Sequence, residues 1–455
     1  MIAACPSAAD NIPQRYSVVI VTAEYPPNPS ALGVCMQGIV DCLHRDAKLS
    51  VQVISTKHEA SSSTYDTDYG YPVTRVLDRR ALCLQRLRSK ADRTQGPVKC
   101  FFSVAAGLWR FYVRAHRYLS AHLRPVNIYV PLVRAYLAAL HDLPQPADMI
   151  VATCLPAEAV EAARQYCQKN PDTAFVPYFF DPFADNASLQ RTALNLRCKF
   201  KRHIQCESAW LERCKKALLV KHVRPHYQKF HALYEDRFII LEQPTLYIRT
   251  AEAKTNEVRD TRNRDRVPTL VYTGSVVKKI RPPEQVIRLL IELADKLPMQ
   301  AHFYTMGNAT PQIDALARQH NDCIFSHGYV PKSEADRALM EADILLSIGN
   351  LNRNQSPSKL FEYIGTGKPI IHLAFHDDDV AEILARYPLA HVVSLSRSDR
   401  DRVITEIADF IRKVTGQSVP AAKLTELYPE ALPTYTADKI AAIIFEQPFY
   451  SREIL

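Results

Sequence analysis

The chain has 455 residues, more than one hydrophobic core usually organises, so its length predicts two domains. Hydrophobic residues make up 47% and charged residues 23%, which is typical of a globular protein, and no apolar run reaches the roughly 18 residues that a membrane-spanning helix needs. The N-terminal segment lacks the basic and apolar regions of a signal peptide, and the eleven cysteines lack metal-like spacing. These features argue against a transmembrane or disulfide-bonded protein and predict a cytoplasmic protein with free thiols.

The net charge of +9 is concentrated in one segment. Between Arg79 and Arg124 there are eleven lysines and arginines and a single acidic residue, Asp92. A local excess of this size indicates a partner that carries phosphates, such as a lipid surface, a lipid-linked acceptor or a nucleic acid.

In its first half the chain alternates apolar strands with helices, the order typical of a parallel α/β sheet. Strands are predicted over residues 16–23, 49–55, 71–78, 147–154, 173–180, 217–220 and 237–241. Helices are predicted from the loop after the first strand to about His44, and over residues 101–123, 156–169 and 187–215. The pattern predicts an N-terminal Rossmann-like domain over residues 1–245, with a basic helical insertion over about 79–143.

Residues 246–268 are highly charged and poorly periodic, which predicts a linker. Further strands are predicted over residues 269–274, 300–307, 323–330, 342–349 and 369–375. Further helices are predicted over residues 283–297, 311–320, 332–341, 398–415 and 434–446. They define a C-terminal domain over residues 269–430, and the last segment, 431–455, carries a helix that is predicted to cross back to the N-terminal domain.

The segment SPSKLFEYIGTGKPII, from Ser356 to Ile371, has the features of an anion site at the start of a short helix. Pro357 restrains the backbone before the helix, Ser358 can cap it, and Lys359 adds a positive charge where unpaired N–H groups attract an anion. Glu362 follows one turn later, a spacing that suits a diphosphate at the helix tip and a ribose diol at the carboxylate. An ordinary capped helix with an exposed lysine and glutamate is the alternative. The helix is predicted to end in two left-handed residues, Gly365 and Gly367.

A second loop that favours phosphates begins at Gly274 and Ser275, where the strand 269–274 ends. Its cations are Lys278, Lys279 and Arg281. Because the carboxyl ends of parallel strands meet at one edge of a sheet, we expect the two loops to bind one nucleotide diphosphate. The segment SHGYVPKSE, residues 326–334, ends a third strand at this edge. Its backbone is predicted to read the base, at Tyr329 and Val330.

SPSKLFEYIGTGKPII resembles the donor-binding signature of GT-B glycosyltransferases, and more narrowly that of the bacterial branch of family 4. YTGSVVKKIRPPE and GYVPKSEADRALMEADILL resemble the strand-glycine loop and the segment before the donor helix, so the match is almost continuous from Thr269 to Ile371. VVIVTAEYPPNPSALGVCMQGIVDCL is more loosely similar to the first strand and acceptor-side loop. The resemblance implies two Rossmann-like, doubly wound parallel-sheet domains that face a central cleft.

The resemblance also implies roles for residues of the C-terminal domain. The donor diphosphate would be held by Pro357, Ser358, Lys359, Gly274 and Ser275, with one of the cations Lys278, Lys279 or Arg281. Of these cations Lys279 is assigned to catalysis, and Glu362 would hold the ribose. Two positions depart from the family pattern: Asn354 stands where a second glutamate often faces the donor sugar, and Ser275 stands where the family has an arginine.

In the N-terminal domain the resemblance places Gly33 at the cleft, facing the transferred sugar, and Tyr25 lies in the same loop. Asp181, in FFDPF, occupies the place of an acidic residue that follows the corresponding strand, and it is assigned to catalysis as a substrate contact. A cap before Pro182 is the alternative role for Asp181.

A site of this kind needs no metal, because cations and a helix tip aimed at the leaving diphosphate stabilise the charge that develops there. HDDD, residues 376–379, is the obvious candidate for metal ligands, but it precedes the helical VAEILARY and is better explained as a helix cap. No metal or cofactor is therefore expected beyond the nucleotide sugar itself. The resemblance implies that the anomeric configuration is retained.

Residues 101–123 form the clearest amphipathic pattern of the chain. One stripe is apolar and consists of Phe101, Val104, Leu108, Phe111, Ala115 and Leu119. The opposite stripe is basic and consists of Arg110, Arg114, Arg117 and Arg124. The helix either packs its apolar stripe on its own sheet, or rests on anionic headgroups or a lipid-diphosphate acceptor. A nucleic acid is disfavoured, because the aromatic residues do not lie among the arginines.

The sequence therefore predicts a hexosyl-type glycosyltransferase that moves sugar from a nucleotide-diphosphate donor to a glycan or lipid-linked acceptor. Its expected setting is bacterial surface polysaccharide or lipopolysaccharide assembly, in the cytoplasm or peripherally on the inner face of the cytoplasmic membrane. The alternatives are a GT-B nucleotide-sugar epimerase and a non-catalytic subunit that only binds nucleotide sugars.

Overall fold

The structure is a computed structural model that describes residues 15–23, 25–27, 30–57, 64–186, 190, 192–249, 267–278, 280–351, 359–396 and 399–445. Its two parallel sheets confirm the α/β class predicted from the sequence. The chain divides into an N-terminal unit, Met1–Pro244 with Pro433–Leu455, and a C-terminal unit, Thr245–Leu432.

The N-terminal unit is built on an eight-stranded sheet of order β3-β4-β2-β1-β5-β6-β7-β8. Its strands are β1 (Tyr16–Thr22), β2 (Leu49–Thr56), β3 (Tyr65–Asp66), β4 (Val73–Val76), β5 (Met149–Thr153), β6 (Ala174–Phe179), β7 (Ala217–Val220) and β8 (Phe238–Leu241). All neighbouring pairs are parallel except β3 and β4. Because β1 lies in the centre, its run from Val18 to Val21 is fully buried, as expected of a strand covered on both faces.

Helices cover both faces of this sheet. They are α1 (Ala31–His44), α2 (Arg79–Arg93), α3 (Gly96–Leu123), α4 (Val130–His141), α5 (Ala157–Lys169), α6 (Ala193–Arg213) and α7 (Arg224–His231). Side-chain caps fix the starts of three of them, through Ser30 on α1, Asp78 on α2 and Thr192 on α6. None of the helices among the described residues has an apolar stretch long enough to cross a membrane.

The C-terminal unit contains a six-stranded parallel sheet of order β11-β10-β9-β12-β13-β14. Its strands are β9 (Thr269–Ser275), β10 (Gln300–Met306), β11 (Ile324–Ser326), β12 (Ile344–Ile348), β13 (Ile370–Ala374) and β14 (Ala390–Ser394). Its helices are α8 (Pro283–Lys296), α9 (Thr310–Gln319), α10 (Lys332–Glu341), α11 (Leu360–Ile364), α12 (Asp379–Leu384), α13 (Arg400–Val414) and α14 (Ala421–Leu427). The central strand β9 lies between β10 and β12, so its carboxyl end is flanked by theirs.

The structure differs from the sequence-based prediction at several points in the C-terminal unit and at its boundary. The edge strand β14 was not predicted, because most of its side chains are partly exposed and it lacks a continuous apolar run. The third strand of this unit ends at Ser326 rather than 330, since Gly328 turns the chain with a φ of 65°. The predicted linker begins too early, because Leu246 is buried in the C-terminal unit and its N–H donates to Ala431 O.

The last helix, α15 (Pro433–Phe445), completes the core of the N-terminal unit. Its buried residues join a cluster with α1 and one face of the sheet: Ala437, Ile440, Ile443 and Ile444. Tyr16 of β1 also makes an edge-to-face ring contact with Phe445.

We expect Ile440→Ala to destabilise the protein by about 2–5 kcal/mol, because it removes a fully buried side chain and leaves a cavity against α1. Urea unfolding followed by circular dichroism measures the loss. Asp438→Ala, at an exposed position of the same helix, is the control. Equal stability of the two variants would show that α15 does not pack as described.

Candidate functional site

The short helix α11 is tied to the end of the central strand β9 by one buried side chain, Tyr363. The Tyr363 hydroxyl accepts a hydrogen bond from Thr273 N–H at 3.0 Å and donates one to Thr273 O at 3.1 Å. Burial raises the pKa of the Tyr363 phenol well above its usual value, so the proton that it donates is retained. Because Thr273 directly precedes Gly274, these bonds hold α11 against the strand end from which the second predicted loop begins.

Lys359 reaches the same strand end. It is the residue before α11, and its Nζ donates to Thr273 Oγ1 at 3.3 Å. Burial lowers the pKa of this ammonium group, while the carboxylate of Glu362 opposes the shift. A half-buried cation therefore lies beside the loop that starts at Gly274.

Glu362 is the one residue of α11 that is not buried, since Leu360, Phe361, Tyr363 and Ile364 all lie in the core. Its carboxylate is thus presented one residue away from the Tyr363 anchor. The helix begins at Leu360, slightly later than predicted, and has only five residues. Three further predicted site residues lie outside the described part of the chain: Asn354, Pro357 and Ser358.

The glycine turn after α11 differs from its prediction at one position. Gly367 has a φ of 73°, as expected, but Gly365 is right-handed with a φ of −61°. Glycine is needed at 365 for a different reason: a Cβ there would lie 2.3 Å from the backbone oxygen of Tyr247. The segment after Thr245 therefore packs directly behind α11.

The loop after β9 is braced by Arg281. Its Nε donates to Asn350 Oδ1 at 2.6 Å, and its Nη1 lies 3.4 Å from Ser275 O. Since Asn350 follows β12, this guanidinium joins the ends of two neighbouring strands and acts as a support for the loop. Gly307, the residue after β10, allows the end of that strand to approach the loop after β9, because a Cβ there would lie 2.2 Å from Val276 O.

The remaining residues predicted to bind the donor follow β9 and β11, at the carboxyl edge of the C-terminal sheet. Gly274 has a φ of 155°, Ser275 is exposed, and Lys278 is exposed with its N–H donating to Asn308 Oδ1. Lys279 lies outside the described residues. The predicted base-reading pair follows β11, where Tyr329 is 76% exposed and Val330 partly buried.

In the N-terminal unit Asp181 follows β6 and is partly exposed, with its Oδ1 3.8 Å from Nε2 of His222. His222 follows the neighbouring strand β7. His222 was not among the predicted site residues, although its position two residues after a predicted strand was a usable signal. Asp181 and His222 form a titratable pair at this edge of the first sheet.

A buried carboxylate, Glu207 of α6, holds the loop that carries Asp181. Its Oε1 accepts from Ala184 N–H at 3.0 Å, and its Oε2 lies 2.9 Å from Nε2 of both His226 and His231. Burial alone would raise the pKa of Glu207, but the hydrogen bonds from the two histidines outweigh it and hold the pKa at about 2. Within the described residues these three side chains are also the group whose ligand atoms, all within 4.8 Å of one another, could hold a metal ion.

Gly33 and Tyr25, predicted to face the sugar, have structural contacts in the N-terminal unit. Gly33 lies in the first turn of α1 and donates its N–H to the cap oxygen of Ser30. Tyr25 is 3% exposed, and its hydroxyl is 2.8 Å from that of Tyr71, which donates to Asp41. The Tyr25 side chain is therefore part of the core.

The four predicted arginines are not equivalent. Arg117 forms an ion pair with Asp78 at 3.0 Å and lies over the ring of Tyr129, while Arg110, Arg114 and Arg124 are exposed. Arg117 also lines a cavity of about 230 Å³. Polar side chains in its wall are Arg117, Ser120, Asn127, Tyr129 and Glu158. The cavity lies just beyond the carboxyl end of β5, since Glu158 is in the first turn of α5.

No protein-family model matches the sequence, and no curated protein is significantly similar to it. Among solved structures, the sucrose-phosphate synthase of Thermosynechococcus elongatus superimposes with a TM-score of 0.58 at 10% identity, over 95% of this chain and 99% of that one. The apo lipopolysaccharide outer core galactosyltransferase WaaB gives a TM-score of 0.54 at 10% identity, over 94% and 99%. HepE from Anabaena, in complex with UDP and glucose, gives 0.53 at 11% identity, over 95% and 100%. The chain therefore has the GT-B fold, which confirms the predicted fold, while identities this low show nothing beyond it.

We expect Tyr363→Phe to destabilise the protein by about 1–3 kcal/mol, because it removes the hydroxyl that Thr273 N–H and O share in a buried site. Urea unfolding of the variant and of Tyr329→Phe, whose ring is exposed, measures the difference. Matching stabilities would contradict the role of Tyr363 as the anchor of α11.

We expect Glu207→Gln to destabilise the protein by about 3–5 kcal/mol at neutral pH, because it removes a buried charge that contacts the buried His231 and the partly buried His226. Since folding lowers the Glu207 pKa to about 2, the contribution is complete above the unfolded-state pKa near 4.5. It declines as the pH falls from there towards 2.

Unfolding free energies measured at several pH values would test this, with Glu212→Gln, exposed on the same helix, as the control. A difference between wild type and Glu207→Gln that stays constant down to pH about 2 would rule out a charged Glu207 in the folded state.

Proposed function

We propose that the protein is a glycosyltransferase that takes a sugar from a nucleotide-diphosphate donor and transfers it to a glycan or a lipid-linked acceptor. The observation that carries this proposal is the meeting of Lys359 with the strand end at Thr273 and Gly274, with Glu362 close by. Crevices at the carboxyl ends of parallel strands are where open α/β sheets bind ligands.

The arrangement suits the chemistry of a departing diphosphate. Breaking the bond between the sugar and the diphosphate builds negative charge on the leaving phosphate, and a fixed cation beside it lowers the barrier. The Lys359 ammonium is half-buried, so its attraction for an anion is stronger than it would be in water. Gly274 adds no side chain, which leaves the backbone open to the phosphates, and Lys278 and Lys279 supply further charge in the same loop.

The other donor contacts follow from this placement. The Glu362 carboxylate would accept hydrogen bonds from both ribose hydroxyls, and Pro357 and Ser358 would complete the diphosphate site. The loop at Tyr329 and Val330 would contact the base. Arg281, whose Nε is bound to Asn350, would support the loop and add its positive charge to the diphosphate site.

We assign the acceptor to the N-terminal unit. Asp181 with His222 offers a carboxylate and an imidazole that could accept a proton from an acceptor hydroxyl. The cavity lined by Arg117, Asn127 and Tyr129 is large enough for a small polar group of the acceptor. The sequence resemblance supports membership of family 4, a donor sugar of the hexose type, retention of configuration and a role in surface-polysaccharide or lipopolysaccharide assembly. Independence of metals is proposed because cations and a helix tip beside the leaving diphosphate would stabilise its charge. The basic segment Arg79 to Arg124 supports a location on the inner face of the cytoplasmic membrane.

We expect Lys359→Ala and Glu362→Ala each to weaken nucleotide binding at least tenfold, which corresponds to about 1.4 kcal/mol. The probe is whichever of UDP, GDP and ADP raises the melting temperature of the wild-type protein most, because a tight ligand stabilises the folded state. Isothermal calorimetry gives the affinities. Lys413→Ala, an exposed lysine of α13, is the control.

Wild-type affinity in both site variants would contradict the assignment. Incubation of the wild-type protein with the matching nucleotide sugars then distinguishes the activities. Release of nucleoside diphosphate supports a transferase. An epimerised donor would overturn the transferase proposal in favour of an epimerase, and tight binding without turnover would overturn it in favour of a binding subunit.

A further inference from the structure

Helix α3 exposes the side that an amphipathic helix normally buries. Its apolar stripe is 53–74% exposed at five positions: Phe101, Val104, Leu108, Phe111 and Leu119. A surface helix of a globular protein usually turns this face to the core. The expectation that the stripe packs on its own sheet is therefore wrong.

The opposite side of α3 fixes the helix to the N-terminal unit. At about 100° per residue, Arg117 lies half a turn from Leu108, and it is the residue that pairs with Asp78. Val113 is buried, and Trp109 donates its Nε1–H to Arg80 O of α2 at 2.9 Å. The attachment of α3 thus leaves the apolar stripe facing outward.

The exposed surface is long and continues beyond the stripe. Val98 and Leu123, both more than half exposed, extend it at either end, and the 23 residues from Phe101 to Leu123 span about 33 Å of helix. Tyr112 and Tyr118 are also exposed, and tyrosine is a residue that prefers the boundary between apolar and polar surroundings. A contiguous apolar surface of this extent marks an interaction site.

Cations lie beside this surface. Lys90 of α2 is 5.5 Å from the ring of Phe102, and Arg80 of α2 is 3.4 Å from the Tyr112 hydroxyl. Both belong to the segment with eleven basic residues and one acidic residue. Arg110 points away from the stripe, so its charge acts through the field of the segment and not through contact. Exposed apolar side chains bordered by cations complement a layer that has an apolar interior and anionic groups at its boundary with water.

We propose that α3 lies in the interface of a bilayer that contains anionic lipids. The apolar stripe would enter the boundary of the acyl chains, and the basic residues of α2 would contact the headgroups. This surface is separate from the residues assigned to the nucleotide, so the proposal stands whether or not the protein transfers a sugar.

The test is co-sedimentation of the full chain with vesicles of phosphatidylcholine, with and without about a quarter of phosphatidylglycerol. We expect recovery with the anionic vesicles, little with the neutral ones, and at least a tenfold loss in the triple variant Phe101→Ser, Leu108→Ser, Phe111→Ser. A charge variant, Arg86→Ser, Lys90→Ser, Arg93→Ser, changes three exposed residues on the side of α2 that carries Lys90 and should lose binding in the same assay. Leu233→Ser, at a residue 92% exposed elsewhere in the same unit, is the matched control and should bind as wild type.

Circular dichroism and the melting temperature of each variant establish that it is folded. Equal recovery with neutral and anionic vesicles, or undiminished binding of the folded triple variant, would overturn the proposal. Sedimentation velocity without lipid tests the competing occupant, a second copy of the chain. A dimer that the triple variant abolishes, together with no recovery on vesicles, would assign the stripe to self-association and overturn the membrane proposal.

Discussion

The site depends on the pair of hydrogen bonds between Tyr363 and Thr273. A helix of five residues is too short to be stable by itself, so the position of α11 is set by its contacts with the core. Four of its side chains are buried, Tyr363 binds the end of β9, and Gly365 allows the segment at Tyr247 to pack behind it. The placement of the half-buried cation and the neighbouring carboxylate follows from that packing.

The N-terminal unit uses a similar principle with different chemistry. A buried charge, Glu207, binds the backbone of the loop after β6 and both histidines of α7, the helix that follows β7. In each unit, then, one buried polar side chain holds together segments at the carboxyl ends of two strands. Tyr363 joins α11 to the end of β9, and Glu207 joins the segments that follow β6 and β7. The partly exposed groups, Lys359 and Glu362 in one unit and Asp181 and His222 in the other, rest on these buried contacts.

Much of this could be predicted from the sequence, because it depends on local patterns. Apolar runs and turn residues located most strands and helices within a few residues. The glycine at the end of β9, with the cations after it, indicated the loop that we propose binds the donor. The role of Arg281 could not be predicted, since it depends on Asn350, a residue 69 positions away. Gly365 was misjudged because the atom that excludes a side chain belongs to Tyr247. The periodicity of α3 correctly gave a two-sided helix, but periodicity does not reveal which side faces the protein.

The proposed function depends on the edge formed by Lys359, Gly274 and Glu362, which would bind a nucleotide diphosphate. The most direct measurement is a crystal structure of the full chain with the nucleoside diphosphate that stabilises it most. We expect the diphosphate within hydrogen-bond distance of the Lys359 ammonium and the loop at Gly274, with both ribose hydroxyls on the Glu362 carboxylate. A nucleotide bound elsewhere, with Lys359 still on Thr273 and Glu362 in solvent, would contradict it.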